Sequence, residues 1–146
     1  MESPTYTSPF SRNPGLRNSP PTTETVSIVV PFYNEEECVE FVLREIVACQ
    51  PGAEVVAVDD GSSDRTWERM QGIDGVTPLR LTQNRGQSGA LFAGLLFAGS
   101  DILVMLDGDG QNDPADIAKL VDLVQSGQCD VAVGRRAKRK DTWSRR

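Results

Sequence analysis

Short β-branched runs alternate with stretches of helical spacing along most of the chain. Val26-Ser27-Ile28-Val29-Val30-Pro31 reads as a buried strand ended by proline. Asn34 stands where a helix cap belongs, ahead of Glu35-Glu36-Glu37, whose carboxylates suit the positive end of a helix dipole. Val39, Val42, Leu43, Ile46 and Val47 then recur at three- and four-residue spacing, which predicts one apolar helix face, and Pro51-Gly52 ends it. Residues 54–58 (EVVAV) predict a second strand, followed by an acidic turn, a helix cap at Asp64 and a short helix from Thr66 to Met70. A weaker strand spans 77–81, and a helix rich in small residues spans 88–98, with Gly89 and Gly94 inside it for close packing. Residues 101–106 predict a fourth strand. Asp113 then caps a helix with Pro114 at its first position and a stripe of Ile117, Leu120, Val121 and Val124. Asp130-Val131-Ala132-Val133-Gly134 predicts a fifth strand.

Strands alternating with helices predict an α/β domain with a largely parallel sheet, and ligands on such sheets gather at the carboxyl ends of the strands. Those ends carry Pro31 to Glu35, Asp59 to Ser62, Asp107-Gly108-Asp109 and Gly134-Arg135-Arg136, so four polar strand ends are expected along one edge. Residues 1–24 differ: they hold five of the nine prolines, many Ser, Thr and Asn, and no apolar periodicity, so a disordered leader is expected there. That leader lacks the basic start and apolar core of a signal peptide. The longest near-apolar run, 90–99, is about half of the ~20 residues a membrane span needs.

Composition removes several chemistries. Histidine is absent, which excludes Ser-His-Asp and Cys-His catalysis, histidine-ligated zinc and a histidine base. Three cysteines without C-x-x-C spacing argue against a disulfide framework and for a reducing, cytoplasmic setting. The net charge of −6 is uneven: residues 135–146 carry seven basic residues and one acid, or +6, leaving −12 on residues 1–134. A basic end of this kind is either a solvated tail or a face for a phosphate-bearing partner. No nucleic-acid partner is expected.

The acidic stretch MLDGDGQNDP (105–114) places Asp107, Asp109 and Asp113 within seven residues, without a Lys or Arg among them. It is neither a P-loop nor a dinucleotide fingerprint nor an EF-hand, whose sixth and twelfth positions would fall on Asn112 and Ala118. The loop either stays fully solvated or binds a cation. Asp-x-Asp after an apolar strand can ligate Mg²⁺ or Mn²⁺ that keeps positions for water and phosphate oxygens, and Gly108 and Gly110 leave the backbone bare for a bulky ligand. One of Asp59 and Asp60 is a candidate acceptor for a nucleobase N–H or a ribose hydroxyl, the plainer alternative being a turn. Glu35 is either a ligand contact or a first-turn charge, and Tyr33 either stacks on a base or staples a helix start. The Gly86-Gln87-Ser88-Gly89 turn reads as ordinary helix-entry chemistry.

Taken in order, IVVPFYNEEE (28–37), VVAVDDGSSDRT (55–66), QNRGQSGALFAG (83–94), MLDGDGQNDP (105–114) and VAVGRRAKRKD (131–141) resemble the family 2 glycosyltransferases of the GT-A fold, a mostly parallel, Rossmann-like sheet flanked by helices. Within that family they are most similar to the polyprenyl-phosphate sugar synthases, the dolichol-phosphate mannose synthase group. The resemblance implies an inverting, metal-dependent hexosyltransferase that takes a UDP- or GDP-sugar and delivers the sugar to a polyprenyl phosphate. Pro31, Tyr33, Glu35 and Asp60 would line the nucleotide pocket, with Asp59, Gly108 and Gln111 as further donor-site residues, and Asp107 and Asp109, with Gln111 alongside, would hold Mg²⁺ or Mn²⁺. Arg136, rather than Arg135, would meet phosphate. Residues 25–134 would form the nucleotide-sugar-binding domain, and 135–146 would begin the acceptor-side region, placing the protein at the cytoplasmic face of a membrane. Members of this group continue well past the Gly-Arg segment, so the fold is expected to be incomplete at the C-terminus of the chain.

A lipid phosphate is already anionic and needs no base, which agrees with the absence of histidine. A saccharide or other hydroxyl acceptor, a nucleotidyltransferase and a non-catalytic nucleotide-sugar binder are the competing functions. Tyr33-Asn34-Glu35-Glu36 counts against the nucleotidyltransferase, since it occupies the place of the Gly- and Arg-rich segment common in those enzymes.

Overall fold

The central strand, β1 (Val26–Phe32), is made almost entirely of side chains that favour burial, and it is paired on both edges. In the computed structural model, which describes residues 25–134, it is flanked by β2 (Glu54–Asp59) and β4 (Ile102–Met105), with β3 (Val76–Arg80) beyond β2. All pairings are parallel, in the order β3-β2-β1-β4, with Ile28 opposite Val55, Val29 opposite both Val56 and Met105, and Val55 opposite Val76. The helices α1 (Val39–Cys49), α2 (Thr66–Gln71), α3 (Gly86–Phe97) and α4 (Asp116–Gln125) supply the connections.

Strand alternation sorts the core into two layers. Ile28, Val30 and Phe32 join Val55 and Ala57 against Val39, Val42, Leu43 and Ile46 of α1, with Met70, Ile73 and Ile117 closing the layer. On the other face Val29, Val56 and Val58 meet Ala90 of α3. Gly94 explains how closely α3 sits: a Cβ there would clash with Val29 Cγ1 and stand 2.9 Å from Val58 Cγ2.

Pro31 lies inside β1 instead of ending it. Val29 O accepts from Leu106 N–H towards β4, and Phe32 O accepts from Asp60 N–H towards β2. Residue 31 therefore turns the edge that would carry an N–H towards β4, and the β1–β4 pairing stops at Met105, so the proline sits where that ladder ends.

Two local expectations give way to tertiary contacts. Asn34 does not cap a helix. It adopts φ 53°, its Oδ1 accepts from Ser63 N–H at 2.9 Å, and Glu36–Cys38 form a turn before α1 begins at Val39. Asparagine tolerates the left-handed region, and the cross-loop bonds outcompete the local cap. The fifth strand at 130–134 does not form. Val131 and Val133 are 76% and 83% exposed, and among the described residues no ladder joins this segment to the open edge of β4. β-branched alternation without a pairing partner does not make a strand. The readings of 1–24 and 135–146 lie outside the described residues.

Gly94→Ala is expected to lower stability by roughly 1–3 kcal/mol, the usual cost of overpacking. Urea denaturation checks this, and an unchanged midpoint would show that α3 can lift off the sheet at no cost.

Candidate functional site

A cleft of about 410 Å³ opens over the carboxyl ends of β1, β2 and β4 and the first turn of α3. Pro31, Phe32, Tyr33 and Glu35 line it from the first loop and Asp60 from the second. Asn84, Gly86 and Gln87 line it from the third, and Asp107, Gly108 and Asp109 from the fourth. The structure thus brings together Pro31, Tyr33, Glu35, Asp60, Asp107, Gly108 and Asp109. Arg135 and Arg136 lie outside the described residues.

The loops hold one another. Asn34 N–H donates to Ser62 Oγ at 2.9 Å, Glu35 N–H to Thr66 Oγ1 at 2.8 Å, and Glu36 N–H to Asp64 Oδ2 at 3.2 Å. Asp64 also accepts from Thr66 N–H and Oγ1 at 2.9 and 2.5 Å, so it braces the turn into α2 and tethers the first loop, but the N-cap position itself falls on Arg65, one residue later than the sequence predicts. Partial burial pushes the Asp64 carboxyl up, but the bonds from Thr66 and Glu36 outweigh it and hold the group below its ordinary value. Gly61, at φ +70°, packs so tightly that a Cβ would lie 2.9 Å from Asn84 N, which joins the second loop to the third.

Asp59, the last residue of β2, and Asp60, the first beyond it, go opposite ways because consecutive residues in extended backbone face opposite sides. Asp60 turns into the cleft, where its Oδ1 accepts from Arg85 N–H at 2.7 Å. Asp59 does not reach the cleft. It is fully buried, accepts from Ser62 N–H at 3.1 Å, and lies 3.1 Å from Arg80 Nε through Oδ2, an ion pair without an aligned hydrogen bond. Arg80 is itself anchored by Ser62 O at 3.1 Å and by the Trp67 ring, 5.6 Å from its guanidinium.

The fourth loop is pressed onto the first. A Cβ on Gly108 would stand 2.6 Å from Pro31 O and 2.7 Å from the Phe32 ring, so only glycine permits this approach. Cys38 Sγ lies 3.2 Å from Glu35 Oε2 and 3.6 Å from Gly108 O, bridging the two loops. Burial, the bond to Glu35 and the negative charge of Glu35 and Asp109 push its thiol up to about 12. Asp107 Oδ1 accepts from Gln87 Nε2 at 2.5 Å, and Asp109 Oδ1 accepts from Gln111 N–H at 2.9 Å. Gln111 is exposed and does not line the cleft.

The donor set suits a hard divalent ion that keeps part of its shell for other ligands. Asp107 and Asp109 offer carboxylate oxygens, each engaged through Oδ1 alone, and among the described residues no cluster of three His, Cys, Asp or Glu side chains forms a closed cage. One or two carboxylates with water and substrate phosphates is how Mg²⁺ is commonly bound. In the sequence the third loop reads only as helix-entry chemistry. The signal that could have marked it is positional, since Gln83 to Gln87 also follow the carboxyl end of a strand.

Comparison with known proteins agrees with this architecture. Glycosyl transferase family 2 matches residues 27–146. A dolichol-phosphate mannosyltransferase of Pyrococcus furiosus is 38% identical over 116 residues, covering 76% of this chain and 33% of that protein. An undecaprenyl-phosphate 4-deoxy-4-formamido-L-arabinose transferase of Edwardsiella ictaluri is 38% identical over 134 residues, covering 86% and 41%. The chain therefore spans about a third to two fifths of the length of these relatives. A Pyrobaculum calidifontis mannosyltransferase solved with GDP-Man and Mn²⁺ superposes with TM-score 0.61 at 29% identity, over 69% of this chain and 32% of that one. A Mycobacterium tuberculosis glucosyl-3-phosphoglycerate synthase with Mn²⁺, UDP-Glc and phosphoglyceric acid gives 0.63 at 28% identity, over 73% and 41%.

Two outcomes follow from the site's electrostatics. At pH 8 iodoacetamide should modify exposed Cys49 well before the half-buried Cys38, as read by peptide mass spectrometry; equal rates would contradict the raised thiol. The lowered Asp64 value means its stabilisation is complete above the unfolded carboxylate pKa of about 3.9 and is lost as pH falls through the folded value. Asp64→Asn should therefore lower the thermal midpoint at pH 6, with the gap to wild type closing below about pH 4.

Proposed function

Because the chain belongs to glycosyl transferase family 2, we propose that residues 25–134 are the donor-binding part of a metal-dependent, inverting glycosyltransferase that moves a sugar from UDP or GDP to a polyprenyl phosphate. The observation that carries this reading is the single cleft in which Asp107 and Asp109 meet Asp60, Glu35 and Tyr33 at the carboxyl ends of parallel strands.

In this reading the nucleoside lies over Pro31 and Tyr33, and Asp60, held through Oδ1, directs its other oxygen to a base N–H or ribose hydroxyl. Glu35 lines the same pocket. Asp107 and Asp109 would hold Mg²⁺ or Mn²⁺ at the donor diphosphate, with Gln111 contributing through the backbone N–H that restrains Asp109. When bound, such an ion neutralises charge building on the departing diphosphate. Gly108 lets the diphosphate approach the backbone closely. The positive end of α3, whose first residues line the cleft, adds a favourable field for that anion.

An acceptor phosphate oxygen forms the new bond to the anomeric carbon as the bond to the nucleoside diphosphate breaks, so configuration inverts. The attacking oxygen carries no proton, so no catalytic base is required of a chain without histidine. Arg136, and less so Arg135, meets phosphate, and the basic segment 135–146 favours an anionic membrane surface at the cytoplasmic face. No helix among the described residues is long and apolar enough to cross a membrane. Two relatives named for dolichol and undecaprenyl phosphate chemistry support the lipid acceptor. The likeness to glucosyl-3-phosphoglycerate synthase supports a second reading, transfer to a small hydroxyl acceptor.

Titration of Mn²⁺ and then UDP or GDP into the chain by calorimetry should show metal-dependent diphosphate binding. The Asp107→Ala, Asp109→Ala variant should weaken it at least tenfold, about 1.4 kcal/mol. Binding that ignores both metal and variant would overturn the donor-site assignment.

A further inference from the structure

Asp107 and Asp109 are both exposed acidic side chains on one loop, yet they are restrained differently. Asp109 is held within its own loop by Gln111 N–H. Asp107 is held from another element, since Gln87 Nε2 reaches across the cleft from the first turn of α3 and donates to Oδ1 at 2.5 Å. That turn is well anchored: Arg85 N–H is bound to Asp60, Gly86 N–H donates to Asn84 Oδ1 at 3.1 Å, and further along α3 Gly94 locks the helix onto the sheet.

We propose that Gln87 is a positioning residue for Asp107, whose Oδ1 it holds so that Oδ2 is presented to the divalent cation. The proposal rests on the donor-site reading above and adds a residue to it. A primary amide suits this role. It donates without adding positive charge beside the cation, as Lys or Arg would, and it is one methylene longer than Asn. Hydrogen bonds that orient a ligating carboxylate commonly change metal affinity by about 10–100-fold when removed. The role also accounts for a polar side chain at this place on a helix that is otherwise almost wholly small or apolar.

The test is Gln87→Met, which keeps the unbranched length and removes the donor. Mn²⁺ affinity is read from the free Mn²⁺ signal by electron paramagnetic resonance, and metal-free UDP and GDP affinity by calorimetry. Mn²⁺ affinity should fall about 10–100-fold, with metal-free nucleotide affinity and thermal midpoint unchanged. Mn²⁺ affinity within twofold of wild type, or higher, would overturn the role, and so would a parallel loss of metal-free nucleotide affinity. If the wild type binds no Mn²⁺, the donor-site reading fails and this proposal with it. If the wild type binds and Asp107→Ala abolishes binding while Gln87→Met does not, only the role of Gln87 fails.

Discussion

Because β1 is paired along both edges and packed on both faces, its carboxyl end cannot shift without disturbing β2, β4 and both core layers. Each fully buried Val or Ile on this sheet contributes on the order of 1.5–3 kcal/mol. A loop hydrogen bond contributes about 0.5–1.5 kcal/mol. The sheet therefore positions the loops, and the hydrogen bonds among them select one arrangement from the few the sheet allows. Pro31 lies at the transition: it sits where the β1–β4 ladder ends, and its carbonyl is the surface on which Gly108 rests.

The same geometry makes an acidic edge tolerable. Asp59, buried completely, would be costly alone and is matched by the Arg80 guanidinium and the Ser62 amide. Asp60, Asp107 and Asp109 remain on the cleft, each held through one oxygen by a neutral donor. Neutral donors fix a carboxylate without cancelling its charge, so the cleft keeps its attraction for a cation while its side chains lose freedom. Cys38 adds a sulfur bridge between the first and fourth loops, and its raised value keeps that thiol protonated beside the carboxylates.

Much of this was legible along the chain. Strand and helix periodicity marked four strands and four helices close to where they stand, because burial on a two-faced sheet imposes a pattern each segment carries by itself. The residues at three strand ends could be named for the same reason. The start of α1 was less legible, since Asn34 obeys a local capping rule yet spends its side chain on Ser63, 29 residues away. The segment 130–134 has the composition of a strand, but a strand exists only through pairing.

Local pattern left Asp59 and Asp60 equivalent, although the family resemblance pointed to Asp60, and the meeting of Gln87 with Asp107 had no signal along the chain. The difference between the two aspartates depends on which strand face meets Arg80 and which meets the start of α3. The meeting of Gln87 with Asp107 depends on the depth to which Gly94 lets that helix settle on Val29 and Val58. By itself the sequence determined the alternation of elements and the chemical character of each strand end, because those follow from the order of side chains. Which carboxylate faces the cleft and what restrains it were decided only by folding, because they rest on contacts between residues 20 or more positions apart.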